Sequence, residues 1–248
     1  MSAMIETTGL TKVFDGTVAV DHLDLSVDPG EIVGLVGING AGKTTFLRML
    51  AGIIQPTEGK VVIAGHALEG DAVKARAELA FVPDTPMLFD SLTVQEHLVF
   101  VSDLYGVTDR EARFGALLEE FDLGERRHAT ASSLSRGMRQ KLAICCAFLH
   151  DPVALLLDEP LTGLDPPGRK RMARAITARA ASGSAVIISS HQLEFVEKLA
   201  TRMAIVHKGQ LRLSGSLEQL RQQAEHDGTT LEDVFLAAIG SDQSGETS

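Results

Sequence analysis

The chain has 248 residues and is 44% hydrophobic, enough for one compound domain, or two closely packed ones, with a sizeable core. Acids outnumber bases 33 to 23, and the resulting net charge of -10 argues against a general affinity for nucleic-acid backbones. No run approaches the ~18 apolar residues of a membrane span, and the first residues, MSAMIETTGLTKVF, lack the basic segment and apolar stretch of a signal peptide, so a soluble, cytosolic protein is expected.

In chain order, "VAVDHLDLSVDPGE" alternates as a strand and breaks at Pro29 and Gly30. "EIVGLVG" is continuously apolar, the pattern of a strand buried on both faces. A helix is expected from Lys43 to about Ile53, then a strand and turn in "GKVVIAGHAL" and a short strand in "LAFVP". From Thr93 the period becomes helical. Thr93 and Glu96 make a capping box ahead of a stripe of Val94, Leu98, Val101 and Tyr105. Thr108 and Glu111 make a second box ahead of Phe114, Leu117, Leu118 and Phe121. "LSRGMRQK" opens a further helix that Asp151 and Pro152 end. Within it Cys145 and Cys146 are adjacent, an awkward spacing for a disulfide, and they read as buried thiols.

Strand and helix then alternate through "VALLLD", "GRKRMARAITARA", "SAVIISSH" and "QLEFVEKLA", and "MAIVHKGQLRLSG" reads as a hairpin turning at Lys208 and Gly209. This rhythm predicts an α/β core over about 1–89 and 151–215, interrupted by a helical subdomain over about 90–150. Helices at about 216–239 and a disordered polar tail, 240–248, complete the expected organisation.

The sharpest motif is "GINGAGKTT", Gly37 to Thr45, which matches G-x-x-x-x-G-K-[ST] between an expected strand and helix. Backbone amides around Gly37, Asn39, Gly40, Ala41 and Gly42 can curl about phosphate oxygens at the positive end of the helix. Lys43 would reach the terminal phosphates, and the Thr44 hydroxyl would bind Mg²⁺. Phe14 could stack on an adenine face or simply pack.

"VALLLDEP" carries two acids, Asp158 and Glu159, out of a buried strand, where open parallel sheets place their ligands. Alternation along the strand would aim them differently, one at Mg²⁺ and the other at the attacking water. His191, closing "SSH" after another strand, is either a γ-phosphate contact or a boundary residue. Finally, "LSRGM" is a helix tip suited to a second phosphate, one more than a single phosphate loop requires.

Together, and in this order, Phe14, the GINGAGKTT loop, the "VPDTP" turn, LSRGM, VALLLDEP, "TGLDP" and "SSH" resemble the ATP-binding cassette (ABC) ATPases, from about residue 4 to 236. The resemblance implies an α/β fold with a RecA-like P-loop NTPase core, an antiparallel β-subdomain and an inserted α-helical subdomain. It implies ATP and Mg²⁺ as cofactors, Phe14 as the adenine-stacking aromatic and Asn39 through Thr45 as the phosphate and Mg²⁺ cradle. Asp158 resembles the Mg²⁺ aspartate, Glu159 the general base and His191 the switch histidine. Asp165 resembles the residue that couples two cassettes, and Leu134, Ser135, Arg136, Gly137 and Met138 the signature that faces the partner's ATP.

Two positions depart from the family's common pattern in charge: Asp84 stands where a glutamine contacts Mg²⁺ and water, and LSGGQ here reads LSRGM. The same resemblance implies a homodimer or heterodimer of ATP-binding subunits on a separate membrane permease, at the cytoplasmic face of the membrane and docked near Pro86 to Phe89. The residues Met87, Leu88 and Phe89 are thus permease contacts or interior packing. "GTTLEDVFLAAIG" and the SRGM form resemble export-type bacterial transporters. A soluble cassette ATPase acting on nucleic acid or ribosomes is the alternative, and a small-molecule kinase would leave LSRGM unexplained.

Overall fold

The computed structural model describes residues 2–223 together with 233, 235, 236 and 238. Its strands are β1 (Ile5–Phe14), β2 (Thr17–Val27), β3 (Ile32–Val36), β4 (Glu58–Ile63), β5 (His66–Ala67), β6 (Leu79–Val82), β7 (Ala154–Asp158), β8 (Ala185–Ser189), β9 (Arg202–His207) and β10 (Gln210–Gly215). Its helices are α1 (Lys43–Leu50), α2 (Ala72–Ala77), α3 (Val94–Tyr105), α4 (Arg110–Glu120), α5 (Arg136–Phe148), α6 (Pro166–Ala181), α7 (Leu193–Leu199) and α8 (Leu217–Gln223). Of the expected helices at about 216–239, α8 is described and residues 233, 235, 236 and 238 are also helical, while the expected tail at 240–248 lies outside the described residues.

Strands β9, β3, β8, β7 and β6 run parallel in that spatial order, with β10 antiparallel to β9 at the edge. A second sheet, β2-β1-β4-β5, is antiparallel. Every residue of β3, β7 and β8 is buried, which is why these strands read as unbroken apolar runs. The two-residue side-chain alternation still sorts them. Leu155 and Leu157 of β7 face a cluster with Leu98, Phe114, Leu142, Phe148 and Ile176. Leu156 turns instead to Phe46, Leu50, Leu10 and Leu23, where α1 and the antiparallel sheet cover the other side. The expected α/β core, antiparallel sheet and helical segment are therefore present, and α3, α4 and α5 share one core with the sheet.

Local chemistry explains most element ends. Thr93 Oγ1 accepts from the Glu96 amide while the Glu96 carboxylate accepts from the Thr93 amide, the expected capping box for α3. Lys208 and Gly209 turn the β9–β10 hairpin with φ of 48° and 79°, the left-handed pair that a two-residue turn needs. The second expected box does not form. Asp109, at φ 52°, becomes the residue before α4 and makes no side-chain cap, while Glu111 accepts from Arg127 at 2.6 Å instead. Helix α1 ends at Leu50 rather than Ile53, with Gly52 beyond it in the left-handed region at φ 66°. The short α2 has no counterpart in the sequence reading, its six residues being too few to show a period. Cys145 and Cys146 are free thiols; burial holds both in the neutral form and pushes Cys146 up to about 12.

Candidate functional site

Because β3, β8 and β7 are neighbours, the loops leaving their carboxyl ends converge. They line a cleft of about 530 Å³. From the first loop come Asn39, Gly40, Ala41, Gly42, Lys43, Thr44 and Thr45; from β7 come Asp158, Glu159 and Thr162; from β8 comes His191. Asp84, Arg136 and Ala19 complete the lining. Ala19 carries no motif that would mark it, and Thr162 opens the "TGLDP" stretch without having been given a role of its own.

The phosphate-type loop is built around a close approach. Gly42 has φ 104°, and a Cβ there would stand 2.4 Å from the Ala19 carbonyl oxygen, so only glycine lets the loop pass β2. Helix α1 starts immediately after it without a side-chain cap, leaving its first amides directed at the cleft. Lys43 is buried and its Nζ donates to the carbonyls of Gly37 at 2.6 Å and Ile38 at 3.1 Å. An ammonium carries three protons, so this one keeps capacity for another acceptor. Burial lowers the Lys43 pKa below its usual 10.5, partly opposed by Glu159 and Asp158, and an anion in the cleft would relieve that penalty.

The two acids are held by two serines. Ser189 Oγ, fully buried, donates to Asp158 Oδ1. Ser190 Oγ donates to Glu159 Oε2 at 3.2 Å. Glu159 Oε1 accepts from the His191 amide at 2.8 Å and faces His191 Nδ1 at 2.9 Å. The different aims of the two carboxylates do not come from strand alternation. Strand β7 ends at Asp158, and Glu159 takes φ 48°, so a left-handed turn swings the second acid toward β8. "SSH" was legible for its histidine, but the task of its serines was not, since the sequence does not say that β7 and β8 are paired.

Several singled-out residues lie outside the cleft lining. Phe14 ends β1 half-exposed, with Lys12 Nζ 5.0 Å above its ring. Gly37 contributes its carbonyl to Lys43 from the end of β3. Leu134 is buried in the core, and Met138 packs partly against it. Ser135 caps α5, its Oγ accepting from the Met138 amide at 3.3 Å. Asp165 caps α6 by accepting from the Gly168 amide at 3.1 Å. Gly137 fits against the Gly163 carbonyl oxygen, where a Cβ would stand 2.5 Å away.

Among the described residues no group of three or more His, Cys, Asp or Glu side chains is arranged to hold a metal alone. Among the cleft's side chains the Asp84 and Asp158 carboxylates and the Thr44 hydroxyl offer oxygen, while the third carboxylate, Glu159, is engaged by Ser190 and the His191 amide. That oxygen-only, incomplete set fits a hard divalent cation such as Mg²⁺ whose remaining ligands are water and phosphate oxygens.

The match to known proteins covers most of the cleft's residues. A family model described as "ABC transporter" matches residues 20–162, more than half of the chain. The chain belongs to the ABC transporter family and is one of its ATP-binding, ATP-hydrolysing subunits. It is 31% identical over 246 residues to the ABC-type transporter ATP-binding protein EcsA of Bacillus subtilis (strain 168), spanning 98% of this chain and 100% of that protein. The bacitracin transport ATP-binding protein BcrA of Bacillus licheniformis is 38% identical over 212 residues, 85% of this chain and 69% of that one. Other relatives are longer: the chain spans 42% of the probable multidrug ABC transporter ATP-binding protein YbhF of Escherichia coli (strain K12). A solved structure of an ATP binding subunit of an ABC transporter superposes with a TM-score of 0.91 at 32% identity, over 95% of this chain and 99% of that one.

Proposed function

We propose that residues 1–236 form one ATPase domain that binds MgATP in this cleft, pairs with a second ATP-binding subunit around two nucleotides, and drives a separate membrane permease. The observation that carries this reading is the convergence of Lys43, Asp158, Glu159 and His191 at the ends of three neighbouring strands. The Gly37–Thr45 loop would hold the phosphates, with Thr44, Asp84 and Asp158 offering oxygen to Mg²⁺. The cation, when bound, neutralises phosphate charge and orients the terminal group.

Glu159 would accept a proton from the attacking water as the water oxygen bonds to the γ-phosphorus and the β–γ bridging bond breaks, leaving ADP and phosphate. In the present arrangement Ser190 Oγ and the His191 amide donate to Glu159, with the His191 ring beside it, so Ser190 and His191 set where that base points. His191, with a largely exposed side chain, is free to turn to the γ-phosphate, and Phe14 to meet the adenine, only if nucleotide brings them inward.

The signature tip supports the dimer. Ser135 and Gly137 lie outside the cleft of their own chain, while the tip is pinned to the loop after Glu159 through Gly163. A partner's nucleotide is therefore their natural ligand, and Asp165 sits at the same junction.

Docking on a permease at the cytoplasmic face is supported by an apolar groove of about 890 Å³ lined by Pro83, Met87, Leu88, Leu104 and Tyr105. Within it Met87 is 91% exposed and Phe89, beside it, 55%, whereas Leu88 packs into the core. Met87 and Phe89 thus suit a permease contact more than Leu88, which is partly buried against the core. Among the described residues no helix is long and apolar enough to cross a membrane, and the permease is proposed as a separate chain. Relatives named for bacitracin and multidrug transport support export as the direction. Purified protein should release phosphate from ATP with no phosphorylated acceptor, and tagged protein should bring down an integral membrane protein. Recovery with ribosomes or DNA instead would favour the soluble alternative.

A further inference from the structure

The two charged departures from the family's pattern face each other. Arg136 Nη2 lies 3.9 Å from Asp84 Oδ1, and both side chains line the cleft beside Lys43 and Glu159. Asp84 follows β6 and Arg136 is the first residue of α5, so the contact joins the nucleotide-holding side of the chain to the partner-facing tip. The arginine is aimed there by packing. Its stem crosses Gly163, where a Cβ would stand 3.2 Å from Arg136 Cγ, and Gly137 seats the same tip on the Gly163 carbonyl. Of the tip residues 134–138, Arg136 is the one that reaches back into its own cleft.

We infer that Arg136 and Asp84 form an interlock between the chain's own nucleotide site and its partner's. In the nucleotide-free chain Arg136 neutralises Asp84; when a divalent cation arrives with nucleotide, Asp84 turns to the metal and Arg136 is released toward the phosphates held by the partner. The inference rests on the reading of the cleft as a MgATP site. The pair suits a switch because it is weak. Its side chains are 64% and 46% exposed and stand beyond hydrogen-bond distance, which limits the contact to about a five-fold bias. A divalent ion carries twice the charge of Arg136 and binds carboxylate oxygen directly, so it displaces the arginine. An uncharged residue at either position would sever the link.

The test uses the full chain carrying Glu159→Gln to stop turnover, at constant ionic strength. The half-saturating Mg²⁺ concentration for binding a fluorescent trinitrophenyl ATP is measured with and without Arg136→Ala, in Asp84 and Asp84→Gln backgrounds. The expected result is a two- to five-fold fall in the Mg²⁺ requirement when Arg136 is removed in the Asp84 background, and none in the Asp84→Gln background. Arg136→Gln should reproduce the effect, which guards against a folding defect in the alanine variant. Equal shifts in both backgrounds, or none in either, overturn the interlock. Absence of nucleotide binding in the parent protein would instead overturn the MgATP reading on which it rests.

Discussion

Lys43 sits buried with its ammonium on two loop carbonyls and two acids nearby, a costly place for a charge without an anion. Its folded pKa is depressed, so the charged form is disfavoured by folding, and that penalty fades only as pH rises through the lowered pKa toward 10.5. Bound phosphate should reverse the shift. Nucleotide affinity should accordingly fall as pH rises through the Lys43 pKa, readable by calorimetry across alkaline pH. Lys43→Met should abolish nucleotide binding while leaving the thermal midpoint unchanged or raised, because it removes a desolvated charge; a marked loss of stability would mean that the carbonyl contacts matter more than the penalty. Glu159→Gln keeps the shape and one acceptor oxygen for the His191 amide but cannot take a proton, so steady-state turnover should drop by about 10²–10⁴ with ATP affinity retained.

At the level of elements, the α3 capping box is a self-contained test. Backbone and hydroxyl donors of Thr93 hold the Glu96 carboxyl below its usual 4.5. A depressed carboxylate stabilises the fold at pH above 4.5, and that contribution is lost as pH falls through the folded pKa. Thr93→Ala should cost about 1 kcal/mol by denaturant unfolding at neutral pH, and the difference from the parent should shrink in acid. Gly137→Ala probes the other end of the helical segment. A Cβ 2.5 Å from the Gly163 carbonyl must push the tip off its loop, so nucleotide binding should persist while nucleotide-dependent pairing is lost.

These two helices also show what can be read from sequence and what cannot. The Thr93 box, the buried strands and the Phe114–Phe121 stripe were legible because each rests on neighbours in the chain. The matching signal at Thr108 and Glu111 was false because Asp109 adopts a left-handed conformation and shifts the helix start. The Ser189–Asp158, Ser190–Glu159 and Arg136–Asp84 pairs were invisible, since each depends on which strands and loops the fold sets side by side.

For the whole molecule, the acidic surplus places the burden of anion binding on a few cations and on backbone amides. One cleft gathers Lys43, the acids and His191, while Ser135 and Gly137 of the tip lie outside its lining. The proposed unit of function is therefore two chains, with nucleotide at the boundary and hydrolysis removing the contact that favours closure. The most direct measurement is sedimentation velocity of Glu159→Gln with ATP and Mg²⁺, with ADP, and without nucleotide. The account predicts a dimer only with MgATP, lost on adding Ser135→Arg, which leaves Lys43 untouched. A protein that stays monomeric with saturating MgATP, even with its permease present, or a dimer indifferent to Ser135→Arg, would contradict it.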